Sequence, residues 1–246
     1  MKAALVTGGA RRIGAAIVQA LAEAGYAVAI HCVGSRQDAE QLAATCQRSV
    51  VVSGDLADPA TPARLIADAT AALGPLTLLV NNAALFEDDR FGALDVTGFD
   101  RHMAVNLRAP LLLIDAFAKQ AAPGSNPSIV NIIDQRVLKP TPDHVSYALS
   151  KSALWTATRM AAQALAPKIR VNAVAPGPTL PNHSDGPEGF AREIAALPLQ
   201  RPVAPRAIAD AVLYLAGAIS VTGQMIAVDS GQHIGWRTPD VVALES

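Results

Sequence analysis

Short apolar runs alternate with longer alanine-rich runs along the whole chain. The apolar runs show almost no alternation with polar residues, which is typical of parallel strands that are covered on both faces. Flanking turn residues and β-branched side chains favour strands over buried helices. The pattern predicts about seven strands, at Ala3–Thr7, Ala27–His31, Val50–Ser53, Leu76–Asn81, Ser128–Ile133, Ile169–Val174 and Met225–Val228.

The alanine-rich runs predict the intervening helices, at Arg12–Ala24, Gln37–Arg48, Ala60–Leu73, Gly98–Gln120, Ser146–Ala166, Glu188–Leu197 and Arg206–Gly217. Strands and helices in alternation indicate the α/β class, with a doubly wound parallel sheet and helices on both faces. Prolines and glycines in Pro176–Pro187 exclude a helix there and favour a loop over the ligand cleft. With no linker or repeat, we expect one domain over residues 1–246, with a substrate loop at about 176–197.

Composition excludes several functional classes. The chain has 246 residues, 51% hydrophobic and 17% charged, and its net charge of −1 provides no basic field for nucleic acid. No run approaches the roughly 18 apolar residues of a membrane span, and no signal-peptide apolar region is visible. We therefore expect a cytoplasmic protein without a membrane partner. Cys32 and Cys46 have no C-x-x-C spacing, so no metal site is expected.

The segment Asp134–Lys151 carries candidate acid–base chemistry. Tyr147 and Lys151 are four residues apart on a predicted helix and so share one face. An ammonium beside the phenol would lower its pKa from roughly 10 towards neutral pH. Asp134 ends the preceding strand, at the edge where open α/β sheets bind ligands. Taken alone, the same residues are also compatible with an ordinary helix surface and a strand-end aspartate.

The first strand–helix junction, Thr7–Gly14, is a candidate phosphate-binding turn. Its glycines let the backbone approach a pyrophosphate, and the helix N-terminus offers free N–H groups. Arg12 lies at the helix start, where a cation is unfavourable against the helix dipole. An anionic partner for Arg12 is therefore expected.

Four motifs in order resemble the short-chain dehydrogenase/reductase family: T-G-x-x-x-x-x-G from Thr7, N-N-A from Asn81, Y-x-x-x-K from Tyr147, and P-G at Pro176. The similarity covers essentially the whole chain. It implies a single Rossmann-like domain, a nicotinamide cofactor and, usually, a homotetramer.

Two departures from the family pattern resemble one branch, the pteridine reductases and related dihydromonapterin-type reductases. Arg12 replaces the middle glycine of the first turn, and Asp134 replaces the catalytic serine, thirteen residues before Tyr147. Phe86 matches the aromatic residue that stacks on the pterin in this branch. The resemblance implies NADPH-dependent reduction of a ring C=N in a pterin-like small molecule. The alternatives are a reductase of a generic carbonyl or imine, and a non-catalytic NADP-binding regulator.

Asp134 has a physical reason to favour a C=N substrate. A carboxylate would repel the alkoxide that forms when a ketone is reduced, whereas a ring nitrogen needs a proton and develops little oxyanion. Asp134 could accept a hydrogen bond from Tyr147 or from a bridging water. Alternatively, burial could raise its pKa and let it supply a proton.

NADPH is the expected cofactor because the second strand ends without the acidic residue that binds the ribose of NAD. Cations and donors suited to a ribose phosphate are present instead: Arg11, Arg12, His31, Ser35 and Arg36. His31 has the alternative of being a packed strand-end histidine.

The remaining candidates follow from the resemblance. The catalytic set is Asp134, Tyr147, Lys151 and Asn106, whose family role is to seat a water near the lysine; the alternative for Asn106 is a locally satisfied helix residue. The cofactor set is Gly8, Arg11, Arg12, Ile13, His31, Ser35, Arg36, Asp55, Leu56, Asn82, Ala83, Ala84, Lys151, Pro176, Gly177 and Thr179. The substrate set is Arg12, Phe86, Asp134, Tyr147 and Leu180.

Four further expectations concern the periphery of the site. Asp55 has the alternative of capping the helix that begins near Asp58. Glu87–Asp89 is expected to form a solvated loop face. His183 belongs to the substrate loop without a catalytic role. Trp236 is expected at a subunit contact or beside a neighbouring active site.

Overall fold

The sheet is the framework of the molecule. The computed structural model describes residues 2–122, 124–181 and 186–236. Within them, seven parallel strands form one sheet in the order β3-β2-β1-β4-β5-β6-β7. This confirms the predicted doubly wound parallel sheet. The strands are β1 (Ala3–Val6), β2 (Ala27–Cys32), β3 (Ser49–Ser53), β4 (Leu78–Asn81), β5 (Ser128–Ile132), β6 (Arg170–Pro176) and β7 (Met225–Val228).

The helices cover both faces of the sheet. They are α1 (Arg12–Glu23), α2 (Arg36–Ala44), α3 (Thr61–Leu73), α4 (Val96–Met103), α5 (Ala109–Gln120), α6 (Val145–Leu165), α7 (Gly186–Ala195) and α8 (Pro205–Gly217). No helix in the described ranges combines the length and apolar character needed to cross a bilayer.

Alternate residues of each central strand enter different apolar cores. In β1, Ala4 and Val6 belong to the core formed with α1, α2 and α8, whereas Ala3 and Leu5 belong to the core formed with α3 and α5. Because successive strand side chains point to opposite faces, a wholly apolar strand is needed to bury both faces. This is the physical reason for the continuous apolar runs in the sequence.

The single helix predicted at Gly98–Gln120 is a continuous helical run, but it begins at Val96 and is not α-helical throughout. A π-helical turn at Ala104–Arg108 separates α4 from α5. Pro110 lies at the start of α5, where it has no N–H to donate and its ring would clash with a carbonyl four residues earlier. The wider turn accommodates the proline, and such turns often occur at functional sites.

The predicted loop at Pro176–Pro187 was wrong at both ends. Strand β6 continues to Pro176, and α7 begins at Gly186. Pro187 is compatible with a helix there because the first turn has no need of its N–H. His183 lies outside the described residues.

The carboxyl ends of β1 and β4 define the switch point of the sheet, because the chain crosses from β3 to the other side of β1 before forming β4. Ligands of doubly wound sheets bind at such a point. Thr7 joins the two strand ends: its N–H donates to Val80 O at 3.0 Å, and its Oγ1 accepts from the N–H groups of Asn82 and Ala83 at 2.9 and 3.0 Å.

Candidate active site

A phenol–carboxylate pair lies at the end of β5. The hydroxyl of Tyr147 donates to Asp134 Oδ2 at 3.0 Å, while Asp134 Oδ1 accepts the backbone N–H of Arg136 at 2.8 Å. Tyr147 comes from the first turn of α6, and Asp134 lies two residues after the end of β5. The structure thus brings into contact two residues that lie thirteen positions apart in the sequence.

Asp89 anchors the first turn of α6. Its carboxylate accepts the backbone N–H of Ser146 at 3.1 Å and also the hydroxyl of Ser146. A carboxylate at a helix N-terminus is favourable because it matches free N–H groups and the positive end of the dipole. The expected solvated face at Glu87–Asp89 was therefore wrong for Asp89, which holds the loop after β4 against the helix that carries Tyr147.

Phe86 lies on the wall of the same site. Its ring centroid is 4.7 Å from that of Tyr147 in an edge-on arrangement, and 4.3 Å from that of His144 in a stacked one. The guanidinium of Arg136 lies over the Phe86 ring at 5.6 Å. A flat ligand placed against Phe86 would therefore meet both the phenol and this guanidinium.

Lys151 is buried beside the pair. It is 2% exposed, and its Nζ donates to Ile132 O at 2.8 Å. Burial lowers the pKa of Lys151 to about 8, because the charged form loses its hydration, and the charge of Asp134 opposes this only in part. A cation kept here at neutral pH is costly for the protein without ligands.

The phenol of Tyr147 is held in its protonated form. Burial raises the pKa of Tyr147 well above 10, and the charge of Asp134 and its hydrogen bond raise it further. The cation that lowers this pKa is Arg136 rather than Lys151. The expected downward shift caused by Lys151 was thus wrong for the protein without ligands, because desolvation and Asp134 dominate.

The side-chain amide of Asn106 is hydrogen-bonded to the backbone of Leu85 and is not free. Its Oδ1 accepts the N–H of Leu85 at 2.8 Å, and its Nδ2 donates to Leu85 O at 2.9 Å and to Ser150 Oγ at 3.1 Å. Both N–H groups of the amide are thereby used. The alternative of a residue satisfied locally in its helix was wrong, because these partners lie 21 and 44 residues away along the chain. The bonds fix the chain next to Phe86.

The first turn is too tight for side chains at two of its glycines. Gly8 has a positive φ of 60°, and a Cβ there would lie 3.0 Å from Ala83 Cα. At Gly14 a Cβ would lie 2.0 Å from Gly8 O. The Nδ2 of Asn82 braces the same turn by donating to Thr7 O and Gly8 O at 2.9 and 3.1 Å. The turn is therefore shaped before any ligand binds.

His31 supports this turn as a neutral residue. Gly8 N–H donates to its Nδ1 at 3.1 Å, and its Nε2 lies 2.9 Å from Gly54 O, so Nδ1 must accept and Nε2 must donate. Burial is the main cause that lowers the pKa of His31. The expected role of His31 as a cation for the ribose phosphate was wrong, and its alternative role as a packed histidine fits.

The predicted phosphate cations are only partly brought together. Arg11 lines a cavity of about 320 Å³ with Ser35, and it pairs with Asp38 at 2.5 Å. Arg36 lies outside this lining and pairs with Glu40 at 2.8 Å. Both pairs are solvent-exposed, and such pairs are weak enough to exchange for a phosphate. Of the predicted cofactor residues, this cavity is also lined by Gly8, His31, Asp55, Leu56, Ala83 and Ala84.

Asp55 does not cap α3, so that alternative was wrong. Its Oδ1 accepts the N–H of Ala57 at 2.9 Å, whereas Asp58 Oδ1 accepts the N–H of Ala60 at 3.0 Å, next to the helix start. The turn at Asp55 keeps its carboxylate at the cavity wall.

Arg12 connects the first turn to the loop after β6. Its guanidinium donates to the carbonyls of Leu180 and Pro181, each at 3.3 Å. Its φ of 53° lies in the left-handed region, which costs about 1–2 kcal/mol for a residue other than glycine. The arginine thus keeps the backbone conformation of a glycine, and its side chain tethers the loop.

A second cavity, of about 280 Å³, contains the pair Tyr147 and Asp134. It shares Ala84 with the cavity next to Arg11. The predicted residues that line it are Arg12, Ile13, Asn82, Ala84, Phe86, Asp134, Tyr147, Lys151, Pro176, Gly177, Thr179 and Leu180.

Eight lining residues are absent from the predicted site: the apolar Ile132, Ile133 and Pro178, and also Gln135, Arg136, Phe190, Glu193 and Gln232. Arg136 could have been found, since it lies two residues after Asp134 at the same strand end. Phe190 and Glu193 share one face of α7 within the predicted substrate loop at about 176–197. Gln232 had no sequence signal; its Nε2 donates to Glu193 Oε1 at 2.9 Å.

The fold and site define an oxidoreductase of the Rossmann-like class, with a tyrosine and a lysine at the end of one parallel sheet. Residues 8–233 match the family described as Enoyl-(Acyl carrier protein) reductase. The chain is 32% identical over 250 residues to a short-chain type dehydrogenase/reductase of Picea abies, covering 94% of this chain and 92% of the relative. The chain belongs to the short-chain dehydrogenase/reductase family, which confirms the predicted family.

Two further relatives differ in their described activities. A putative ketoacyl reductase of granaticin polyketide synthase from Streptomyces violaceoruber is 33% identical over 240 residues, covering 94% of this chain and 96% of the relative. The solved structure of FolM alternative dihydrofolate reductase 1 from Brucella canis, complexed with NADP, is 49% identical with a TM-score of 0.94. That alignment covers 98% of this chain and 97% of the solved chain.

Proposed function

We propose that this protein is an NADPH-dependent reductase of a ring C=N in a pteridine, such as a dihydropterin or a dihydrofolate-like compound. The single observation that carries the proposal is the hydrogen bond of 3.0 Å between Tyr147 Oη and Asp134 Oδ2 in the cavity. A carboxylate at this position is a poor neighbour for an alkoxide and an acceptable neighbour for a nitrogen that becomes N–H. The relative from Brucella canis, described as a dihydrofolate reductase, supports the same substrate class.

The first turn fits a dinucleotide. A Cβ at Gly14 would meet Gly8 O, so the start of α1 packs directly against the turn, and the free N–H groups at this helix N-terminus suit the phosphates of a dinucleotide. Arg11 and Ser35 line the neighbouring cavity and suit a ribose phosphate. Pro176, Gly177 and Thr179 line the other cavity, on the side expected for the nicotinamide. NADPH, when bound, supplies the hydride.

Tyr147 and Asp134 would supply the proton. The raised pKa of Tyr147 keeps the proton on the phenol until hydride addition to the adjacent carbon makes a substrate nitrogen basic enough to take it. A substrate nitrogen facing Oη would accept this proton while the adjacent ring carbon receives the hydride, which balances the reduction. Asp134, whose side chain is 14% exposed, remains in contact with solvent and can support return of a proton to the phenol.

Lys151 and Phe86 have supporting roles in this proposal. The ammonium of Lys151 loses little by binding ribose hydroxyls, because its own hydration is already lost in the fold. Phe86 offers an apolar surface at 4.7 Å from the ring of Tyr147, where a flat heterocycle can pack. We also propose a homotetramer, and Trp236, which is 67% exposed, stays a predicted subunit contact.

A second candidate function is the reduction of a carbonyl compound. The observation that favours it is the similarity to the ketoacyl reductase from Streptomyces violaceoruber over nearly the full chain. A regulator without turnover is less well supported, because the tyrosine and lysine both face the cavity.

A substrate comparison tests the proposal. NADPH oxidation should be fast with 7,8-dihydrobiopterin, dihydromonapterin or dihydrofolate, and at least about ten-fold slower in kcat/KM with a panel of ketones and an acetoacetyl thioester. Turnover of the ketones alone would reject the pteridine assignment. Tight NADPH binding with no turnover of any compound would favour the regulator.

Replacement of Asp134 tests the carboxylate itself. For Asp134→Ser we expect kcat/KM with a dihydropterin to fall about 100-fold or more, within the range for a lost acid–base group. The dissociation constant of NADPH should change by less than about three-fold, since Asp134 contacts the substrate side. Asp134→Asn, which keeps the shape, is the matched control for charge. Loss of NADPH binding in Asp134→Ser would show that the carboxylate serves the cofactor instead.

A further inference from the structure

Arg136 is a mostly buried cation that the proposed proton transfer leaves unused. It lies in the short 3₁₀ turn Gln135–Val137 after β5, and its side chain, 21% exposed, lines the cavity of the catalytic pair. Its Cζ is 5.6 Å from the centroid of Phe86, and its Nη1 is 3.6 Å from Asp134 Oδ2. The guanidinium therefore faces the place where a substrate would contact Phe86 and Tyr147.

The described residues meet the hydrogen-bonding capacity of this guanidinium only in part. Its Nε is buried without a partner among the described residues, and the distance of 3.6 Å to Asp134 exceeds that of a charge-assisted hydrogen bond. The neighbouring Gln135 is 3% exposed, and its buried Oε1 also has no hydrogen-bond partner among the residues that the structure describes. Buried polar atoms of this kind call for a specific explanation.

A structural arginine elsewhere in the fold shows the contrast. Arg170, 7% exposed, donates to the carbonyls of Leu215, Ala216 and Ala218 at 2.7, 2.7 and 2.9 Å. That guanidinium is satisfied by the end of α8. Arg136, whose side chain is 21% exposed, is shielded only in part and has no comparable set of acceptors among the described residues, so the missing acceptors are expected from a ligand.

We infer that Arg136 binds an oxygen acceptor of the substrate, either a ring oxo group beside the bond that is reduced or a carboxylate of the substrate's side chain. This inference rests on the proposed function and names a specificity-determining residue for it. A planar guanidinium over Phe86 can donate hydrogen bonds in the plane of a flat heterocycle. The guanidinium then gains its acceptors from the substrate while the hydrogen bond between Tyr147 and Asp134 stays in place. Substrates without such an oxygen leave the guanidinium unmatched and are selected against.

Three substrates and one substitution test the inference. They are 6-methyl-7,8-dihydropterin, which has the ring oxo group; 7,8-dihydrofolate, which adds carboxylates; and 2-amino-6-methyl-7,8-dihydropteridine, which has neither. In Arg136→Met, kcat/KM should fall about 10- to 100-fold for the oxo compounds, the range of a lost charge-assisted hydrogen bond, and less than about three-fold for the third compound. Arg136→Lys should recover part of the loss. Arg159→Met, on the exposed surface of α6, is the matched control and should change nothing.

The pattern of losses identifies the acceptor. Losses with both oxo compounds assign the ring oxo group, and a loss with dihydrofolate alone assigns the carboxylates. Equal losses with all three compounds, or no loss, would overturn the inference. If the wild-type protein reduces none of them, the proposed function fails; the dissociation constants of the three compounds from the NADPH complex of wild type and Arg136→Met then decide the role of Arg136, with equal constants overturning it.

Discussion

The turn after β1 and the corner between β5 and α6 lie at the same edge of the sheet, yet their polar groups are matched differently. In the turn, both nitrogens of His31 and the hydroxyl of Thr7 have partners within the protein. At the corner, the Nε of Arg136 has no partner among the described residues, and Lys151 is held by one bond to Ile132. The polar groups of the turn are hydrogen-bonded before ligands bind, whereas the corner has polar groups that are still available to a ligand.

This difference follows from what each region must recognise. A pyrophosphate is bound by backbone N–H groups and a helix N-terminus, so glycines and internal bracing are sufficient. Proton transfer to a particular substrate atom needs side chains with specific pKa values, and burial provides these at a cost in stability. Substitutions in the two regions should therefore separate binding, catalysis and folding.

The largest effect is expected for Tyr147→Phe. Removing the hydroxyl deletes the proposed proton donor, and kcat/KM should fall about 1,000-fold or more. The dissociation constant of NADPH should stay within about three-fold, because the turn after β1 is untouched. Tyr214→Phe, on the exposed side of α8, is the control. A loss smaller than ten-fold would mean that the corner supplies its proton from another group.

The next effect is expected for Gly14→Ala, which breaks the turn while leaving the corner intact. The new Cβ would lie 2.0 Å from Gly8 O, so the backbone must shift. We expect a loss of about 1–3 kcal/mol in stability and a marked weakening of NADPH binding by calorimetry. Gly217→Ala, at the end of α8, is the matched control, since nothing lies within 4 Å of a Cβ there and neither cavity includes it. Unchanged NADPH affinity in Gly14→Ala would show that the turn is less rigid than its geometry indicates.

Lys151→Met should separate stability from activity at the corner. The folded-state pKa of Lys151 is about 8, below its usual 10.5, so the ammonium costs stability at pH 7. We expect Lys151→Met to unfold at a higher urea concentration, with a free energy of unfolding that is larger by about 1–3 kcal/mol. Its reductase activity should fall sharply. The wild type should become more stable as pH rises from about 8 to 10.5, because there the unfolded chain binds more protons. The difference in unfolding free energy between the wild type and Lys151→Met should therefore become smaller over this pH range.

Lys119→Met, at an exposed site on α5, is the control for Lys151→Met and should leave unfolding unchanged. A destabilised Lys151→Met protein would mean that the bond to Ile132 O outweighs the cost of burying the ammonium.

The smallest effect is expected for the pH dependence of His31. Its folded-state pKa is below the ordinary 6.5, so the unfolded chain binds more protons just below that pH. Stability should therefore be complete above about pH 6.5 and fall as pH decreases towards the folded-state pKa, by at most about 1.4 kcal/mol per pH unit. His31→Asn should flatten this part of the urea unfolding profile. Parallel profiles for the two proteins would show that other groups cause the acid sensitivity.

Much of the site could be predicted from the sequence, and the failures have physical reasons. The glycines of the first turn and the pair Tyr147 and Lys151 are local patterns, so spacing places them. Asp89 and His31 were misinterpreted because their roles depend on contacts with residues far along the chain, at Ser146 and Gly54. The π-helical turn at Ala104–Arg108 was missed because apolar periodicity continues through it.

The sequence by itself determined the parallel sheet, the family and the residues at its carboxyl edge, because hydrophobic periodicity and motif spacing are local properties of the chain. Only the tertiary structure decided which polar groups are satisfied. Burial, hydrogen-bond matching and pKa depend on atoms brought together from distant segments. For that reason the protonated Tyr147, the neutral His31 and the unmatched Arg136 became visible only in the folded molecule.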